Sequence, residues 1–211
     1  MFGGTIPIEK SNNEKSSIKL TGPVQFRFGR SMHKVEIKHI KGTGAFASGK
    51  EKKQKTFREE YILPYSLISF YGVINENAAK KTLMTEDDES FLIEGIWNGT
   101  KNLITRSKFG QMPRILFKIT YNDKNFFIGD LDKKLKLEHD LEDDKKLRNI
   151  EEVQIDISEL INVLKSNLDK IESVNLKVDP SVQFKNDNEI INEDLTEFLV
   201  KNGLPAVELN I

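Results

Sequence analysis

Lysine and arginine side chains crowd one short part of this chain, between Lys19 and Arg58. Eleven of them occur there against two acidic residues, Glu36 and Glu51, which gives a net charge of +9. Closely spaced cations bind phosphate groups and release the counterions of a polyanion, so they give affinity without sequence preference. The segment therefore predicts a polyanion-binding surface, and its candidate phosphate-binding residues are Arg27, Arg30, Lys34, Lys38, Lys41, Lys50, Lys52, Lys53 and Lys55.

Glycine and phenylalanine residues interrupt the same basic segment. Gly42, Gly44 and Gly49 permit backbone angles that other residues avoid, so the segment is predicted to form a flexible hairpin tip. Phe46 and Phe57 flank that tip, where their rings would wedge between or stack on nucleobases. A solvated surface loop with Phe46 buried in the core explains the composition equally well. Composition alone does not decide between these two interpretations.

A second basic group, Arg106-Ser107-Lys108, precedes a predicted strand. Arg106 and Lys108 are able to hold a phosphate group, and the Ser107 hydroxyl is able to donate a hydrogen bond to it. Gly110 allows the chain to turn just beyond them. A capped loop between a helix and a strand explains the same residues equally well.

Residues with catalytic or metal-binding chemistry are sparse and form no recognised motif. The three histidines are His33, His39 and His139, and the chain has no zinc-protease, serine-hydrolase or P-loop motif. The acidic residues at 140–144 lack the spacing of a calcium loop, so a solvated charged turn is favoured over a metal site. Without cysteine, the chain has no thiolate ligand or nucleophile. The sequence thus predicts no catalytic residue, no metal and no cofactor.

The C-terminal part of the chain carries the opposite charge. From Asp132 to Ile211, eleven Lys and Arg stand against nineteen Asp and Glu, a net charge of −8. This part would repel nucleic acid or dock on the basic part of another copy. No run approaches the roughly 20 apolar residues of a membrane helix, the N-terminus is not a signal peptide, and the lack of cysteine fits the cytosol. A cytoplasmic protein with no membrane partner is therefore expected.

The apolar patterns predict an α+β fold with antiparallel hairpins. Strands are predicted at Val24–Phe28, Val35–Ile40, Glu60–Ile74, Arg114–Tyr121, Val153–Ile157 and Val174–Val178. Among them, the apolar run Glu60–Ile74 is predicted to be a buried central strand with a bend at Pro64. Helices are predicted at Glu76–Lys81, from a Thr85 cap through Ile96, from a Ser158 cap through Ile171, and from Asn192 to Asn202-Gly203. This irregular alternation is typical of the ferredoxin-like kind of α+β fold.

Several short blocks occur in an order that is typical of one protein family. They are Phe2-Gly3-Gly4, Thr21–Phe26, Gly29–Val35, Gly42–Ala47, Phe57–Ala79, Ser107–Arg114 and Ile128–Leu131. In this series the chain resembles the backbone subunit of type I CRISPR Cascade complexes, and most of all the type I-B form. The resemblance covers roughly residues 1–132, and residues 133–211 agree only in general character.

The resemblance implies a modified RNA-recognition-motif fold with an inserted β-hairpin thumb at about residues 35–57. Residues 1–132 would form the partial core of the motif, and residues 133–211 the acidic α/β part of the same domain. Members of the family normally begin with a further strand and helix, so the fold is expected to be N-terminally incomplete. Such a motif would leave a sheet edge exposed.

The resemblance also implies partners and further contact residues. Gln25, Ser31 and His33 would lie at the base of the thumb near CRISPR RNA, and Ser107 and Lys108 in the loop before a strand. Many copies would polymerise along that RNA beside other Cascade subunits. The thumb would displace a base at regular intervals and leave the other bases free to pair with target DNA.

Two further interpretations differ on function. Related subunits of type III complexes cut RNA with an aspartate near the thumb, but no Asp occurs from Lys19 to Arg58, which favours binding without cleavage. One alternative is a metal-dependent ribonuclease that uses Glu36, His39 or the acids at 140–144. The other is a subunit that binds protein through its acidic part and does not contact RNA.

Overall fold

The structure is a computed structural model that describes residues 1–9, 15–43 and 57–211. Its helices are α1 (Glu76–Thr82), α2 (Glu86–Lys101), α3 (Ser158–Lys165) and α4 (Leu195–Lys201). Its strands are β1 (Gly3–Glu9), β2 (Lys15–Thr21), β3 (Val24–Phe26), β4 (Arg30–Ser31), β5 (Lys38–Thr43), β6 (Phe57–Ile62), β7 (Ile68–Ser69), β8 (Gly72–Ile74), β9 (Ile115–Tyr121), β10 (Lys136–Glu138), β11 (Gln154–Asp156), β12 (Ile171–Val178), β13 (Gln183–Asn186), β14 (Glu189–Ile191) and β15 (Ala206–Glu208).

Two sheets in the second half of the chain carry most of the packing. One has the strand order β15-β12-β9, and the other has the order β10-β11-β13-β14. Strand β12 runs parallel to β15 and antiparallel to β9, and β11 runs parallel to β13. The strands of the first half form two-stranded antiparallel sheets. The mixed α+β class is therefore confirmed.

The hydrophobic core lies mainly between these two sheets and the helices α3 and α4. Its buried side chains come from residues 147–206, and Leu164 and Val174 have no exposed surface. Leu160, Ile161 and Leu164 recur at the spacing that places apolar side chains on one face of a helix, which is why α3 packs its apolar face inward. The first half contributes partly buried residues such as Tyr65 and Leu67.

Helix α2 begins where the sequence indicates. The Thr85 hydroxyl accepts from the Asp88 N–H at 3.2 Å, and the Asp88 carboxylate accepts from the Thr85 N–H at 2.9 Å. This capping box pairs two backbone donors at the helix start. Lys118 of β9 then forms an ion pair with Glu89 at 3.0 Å. The structure confirms the predicted helices α1 and α2 and the predicted strand β9. The loop before β9 follows the end of α2.

The prediction of one buried central strand over Glu60–Ile74 is wrong. The run is divided among the end of β6, all of β7 and all of β8. Strand β6 pairs with β5, β7 pairs with β4, and β8 pairs with β3. The run therefore contributes to three separate sheets. Because each of these sheets is only two strands wide, side chains such as Ile68 and Phe70 remain exposed.

The predicted bounds of the helix α3 are also corrected. The Ser158 hydroxyl donates to the Asp156 carboxylate and accepts from the Asp187 N–H at 2.7 Å, so it caps no donor of the helix. The helix ends at Lys165 rather than at Ile171, because Ile171 already begins β12.

The helix α4 begins later than predicted. Asp194 rather than Asn192 caps it, since its carboxylate accepts from the N–H groups of Thr196 at 2.8 Å and Glu197 at 3.1 Å. The helix ends before Gly203, which has a φ of +82° that a residue with a side chain rarely adopts.

An ion pair fixes the start of β9 to the end of β12. The Arg114 guanidinium lies 2.9 Å from the carboxylate of Asp179, whose side chain is only 11% exposed. Burial alone would raise the pKa of Asp179, but hydrogen bonds from the Ser181 N–H and from Arg114 outweigh it and lower that pKa. The pair thereby sets where the loop before β9 ends.

We predict that Asp179→Asn lowers the free energy of unfolding by about 1–3 kcal/mol at neutral pH, because it leaves Arg114 without its charge partner. Because folding lowers the pKa of Asp179, its carboxylate stabilises the fold fully at a pH above the pKa of Asp in an unfolded chain. This stabilisation is lost as the pH falls through the lower pKa that Asp179 has in the folded protein. The difference should therefore shrink below about pH 4. Chemical denaturation measures it, with the exposed Asp169→Asn as the control. Equal effects of the two substitutions would contradict the prediction.

Candidate nucleic-acid interface

Strands β5 and β6 form a two-stranded antiparallel sheet, in which β5 lies within the predicted thumb and β6 begins at its last residue, Phe57. Six residue pairs join them, from Lys38 opposite Ile62 to Thr43 opposite Phe57. Because side chains alternate along a strand, Ile40, Arg58 and Glu60 belong to one face of this β5–β6 pair. The opposite face carries the remaining central side chains, which are His39, Lys41, Glu59 and Tyr61.

An aromatic stack lies on the second of these faces. The His39 and Tyr61 rings are opposite each other in the ladder, with centroids 4.5 Å apart and planes inclined by 8°. Tyr61 is 69% exposed. Glu59 lies beside the stack, 3.5 Å from His39 and 3.6 Å from Lys41. The face thus combines an exposed ring with a lysine, a combination that suits single-stranded nucleic acid.

A tight turn between α2 and β9 meets the first face of the β5–β6 pair. Thr105 and Lys108 exchange backbone hydrogen bonds of 3.1 and 3.3 Å, which leaves Arg106 and Ser107 at the tip. Arg106 Nη2 lies 3.0 Å from Glu60 Oε1, and Arg58 contacts the other oxygen of the same carboxylate. Arg58 of the basic segment and Arg106 of the second basic group therefore share one carboxylate, and Ser107 and Lys108 are exposed in this turn.

The two arginines favour the ionised form of the Glu60 carboxylate. Hydrogen bonds from Arg58, and then from Arg106, lower the pKa of Glu60 below its ordinary value. The carboxylate is thus a permanent anion between two permanent cations at any pH near neutrality.

Arg27 is engaged within the chain. Its guanidinium lies 2.6 Å from the Asp130 carboxylate and 4.4 Å from the centre of the Tyr71 ring. Asp130 also binds Lys133 at 2.9 Å, and hydrogen bonds from Lys133 and then Arg27 lower the pKa of Asp130. The block Ile128–Leu131 that carried part of the resemblance thus supplies the partner of Arg27.

The segment before β5 is held by side chains of the acidic C-terminal part. The Lys34 N–H donates to the Asp144 carboxylate at 3.2 Å, and Glu36 lies 3.1 Å from Arg148. The Lys34 N–H lowers the pKa of Asp144, with a further contribution from His139. These contacts hold residues 34–36 outside any ladder, so the predicted strand at Val35–Ile40 begins only at Lys38 and continues to Thr43.

His33 is buried and hydrogen-bonded through both ring nitrogens. It is 8% exposed, its Nε2 accepts from the Leu67 N–H at 3.3 Å, and its Nδ1 lies 2.9 Å from the Lys34 carbonyl. The Ser31 hydroxyl donates to the His33 carbonyl at 2.8 Å and accepts from the Ser66 hydroxyl at 3.0 Å. Both side chains therefore organise the loop after β4, and His33 has no ring nitrogen left for an RNA contact.

Gln25 and Arg30 are exposed on the short strands β3 and β4. The Gln25 amide donates to the Gly22 carbonyl at 3.1 Å. Arg30 lines a shallow cavity of about 320 Å³ together with Lys133 and Lys136. Among the described residues, Arg30 forms no ion pair, so its guanidinium is accessible to an anion.

Comparison with known proteins decides the family. A family model described as CRISPR-associated protein Cas7 matches residues 1–158. The chain belongs to the Cas7 family. A curated CRISPR-associated protein Cas7 from Haloferax volcanii is 28% identical over 208 residues, which covers 92% of this chain. The chain spans 61% of the length of that relative.

Membership of the Cas7 family confirms the resemblance that the ordered sequence blocks indicated. Five of the predicted RNA-binding residues lie outside the described ranges, namely Phe46, Lys50, Lys52, Lys53 and Lys55. Within residues 1–9, 15–43 and 57–211, no three acidic or histidine side chains are grouped so that they hold a metal ion. In the same ranges, no helix has both the length and the apolarity to cross a membrane.

Sequence reasoning missed Glu60 and Tyr61 at this candidate interface. Both belong to the run that was assigned to a buried strand, although Tyr61 follows two charged residues in a stretch of alternating character. A strict count of that alternation places Tyr61 and Glu59 on one face and Glu60 on the other. The contact between Glu60 and Arg106 leaves no such signal, because 46 residues separate them.

We predict that His33→Ala lowers the free energy of unfolding by about 1–3 kcal/mol, because it leaves the Leu67 N–H and the Lys34 carbonyl unpaired. His39→Ala, on the exposed β5–β6 pair, should change it by no more than about 0.5 kcal/mol. Urea denaturation followed by circular dichroism measures both. A His33 variant as stable as the wild type would show that the ring does not hold this loop.

Proposed function

We propose that this chain is a non-enzymatic, CRISPR RNA-binding backbone subunit of a type I Cascade complex, of the type I-B-like kind. Copies of the chain polymerise along the RNA in the cytoplasm and present its bases for pairing with target DNA. Its partners are CRISPR RNA, other copies of itself and other Cascade subunits, and it meets target DNA only through the RNA. The fold that this role requires is the modified RNA-recognition motif of the ferredoxin-like class.

One observation carries this proposal beyond family membership. The β5–β6 pair and the Thr105–Lys108 turn form one candidate interface, joined on the first face of the pair by the contact between Arg106 and Glu60. Its cationic side chains are Lys38, Lys41, Arg58, Arg106 and Lys108. Exposed cations of this density bind a phosphate backbone with an affinity that falls as the salt concentration rises.

The aromatic stack adds a second element of nucleic-acid recognition. Its exposed member, Tyr61, lies on the face that also carries Lys41, and His39 supports the ring from the opposite strand. A nucleobase that stacks on such a ring gains about 1–3 kcal/mol whatever its identity. Cations and a stacking ring on one small sheet therefore favour a single strand of RNA over a protein partner.

The residues that a nuclease mechanism would use are engaged in separate contacts. Glu36 lies with Lys38 and Arg148, and His39 with Glu59. The arrangement therefore supports binding of RNA without cleavage. Incubation of labelled RNA with the protein and Mg²⁺ tests this point, because intact RNA is expected and shortened RNA would contradict the proposal.

We predict that Lys38→Ala, Lys41→Ala and Lys108→Ala together weaken single-stranded RNA binding at least about ten-fold, and that mixed and uniform sequences lose affinity equally. The slope of log affinity against log salt should become shallower by about 2, since three phosphate contacts are lost. Fluorescence anisotropy with end-labelled RNA between about 50 and 200 mM salt measures both quantities.

The matched control removes three exposed lysines from the acidic part of the chain, Lys145, Lys165 and Lys201. This variant has the same net charge as the first but should bind RNA with nearly the wild-type affinity and slope. Equal losses in the two variants would indicate only a dependence on net charge and would overturn the proposed interface. The same assay on alanine substitutions of Lys50, Lys52, Lys53 and Lys55 tests the predicted lysines outside the described residues.

A further inference from the structure

One carboxylate on β6 joins two arginines that come from separate elements. Glu60 Oε1 lies 3.0 Å from Arg106, which is at the tip of the turn before β9. Its other oxygen accepts from Arg58, two residues earlier on the same face of β6. The Glu60 side chain is 23% exposed, whereas those of Arg58 and Arg106 are 56% and 68% exposed.

Backbone hydrogen bonds hold the two elements that carry these arginines. The backbone bonds between Thr105 and Lys108 close the turn that carries Arg106. The ladder with β5 fixes Glu60 opposite Ile40 and directs its neighbour Glu59 to the other face. Glu60 is therefore the acidic residue of β6 that reaches the turn, and Glu59 is a neighbour of equal charge that does not.

Two guanidinium groups this close to one point would repel each other without a shared anion. Each guanidinium carries five N–H donors in a planar fork, so a contact with one carboxylate oxygen leaves most of the donors of Arg58 and Arg106 available. The cluster of Glu60 with its two arginines keeps a net charge of +1 and exposes both forks. Such a pair of forks matches the oxygen atoms of one phosphate group.

We propose that Glu60 is a positioning residue that holds Arg58 and Arg106 side by side, so that both bind one phosphate group of the RNA backbone. This inference rests on the proposed RNA-binding function and gives it a specific phosphate contact. It also links the β5–β6 pair to the turn before β9, so that the RNA meets one preformed surface rather than two independent segments.

Removal of the Glu60 charge tests this inference, because the positioning role and simple electrostatics predict opposite changes in RNA affinity. Simple electrostatics predicts that the loss of any carboxylate near the RNA strengthens binding. A positioning role predicts the opposite for Glu60, because the two arginines separate when the anion is removed. Glu59→Gln is the matched control, since it removes the same charge from the adjacent residue on the opposite face.

The experiment measures single-stranded RNA affinity of the full chain at about 100 mM salt by fluorescence anisotropy. Glu60→Gln should weaken binding by roughly three- to ten-fold, while Glu59→Gln, which removes the anion beside Lys41, should strengthen it slightly. Glu60→Asp, which keeps the charge, should bind more tightly than Glu60→Gln. Circular dichroism of each variant provides the control for folding.

A double-mutant cycle with Arg106→Ala separates this inference from the function on which it rests. If Glu60 acts through Arg106, then Glu60→Gln should cause little further loss in the Arg106→Ala background. Additive losses, or stronger RNA binding by both Gln variants, would overturn the positioning role. A wild-type chain that binds no RNA at any salt concentration would instead overturn the proposed function.

Discussion

Repulsion within the basic segment is the constraint on which the arrangement of the candidate interface depends. A net charge of +9 between Lys19 and Arg58 opposes any compact arrangement of that segment unless anions from elsewhere share the space. Asp130 binds Arg27, Asp144 binds the backbone of Lys34, and Glu60 joins two arginines. Each contact draws the basic segment onto a later part of the chain.

These contacts explain why the cations form an ordered surface. The sheets and helices of the second half supply a buried core that does not depend on the basic segment. Arg114 and Asp179 then fix the start of β9, and the last turn of α2, where the Asn102 N–H donates to the Asn98 carbonyl at 2.9 Å, fixes the other end of the preceding connection. The turn that carries Arg106 is thus anchored at both ends and meets Glu60 at a defined place.

The sequence predicted those features that depend on local chemistry. The Thr85 cap, the alternation of β9 and the basic residues near position 40 all arise from neighbouring side chains, and the structure contains the corresponding elements. The antiparallel pairs β1–β2 and β13–β14 were not predicted. In the second pair, Asp187 and Asn188 both have positive φ, which is the signature of a two-residue hairpin turn.

The candidate site could be predicted only in part because its contacts are distant in sequence. Lys38 and Lys41 followed from charge density, but the burial of His33 required knowledge of where Leu67 lies. The prediction of one strand over Glu60–Ile74 was wrong because an apolar run does not indicate whether it forms one strand or several strands with different partners. The meeting of Glu60 with Arg106 depends on the packing of two connections that no local pattern describes.

Photo-crosslinking to 4-thiouridine-containing single-stranded RNA, with the attachment sites mapped by mass spectrometry, tests directly which surface binds RNA. The proposed interface predicts crosslinks in peptides that contain β5, β6 and the turn at residues 105–108, with Tyr61 among the modified residues. These crosslinks should diminish as salt rises. Crosslinks confined to the acidic part, residues 132–211, would contradict the proposed function and the interface on which it rests.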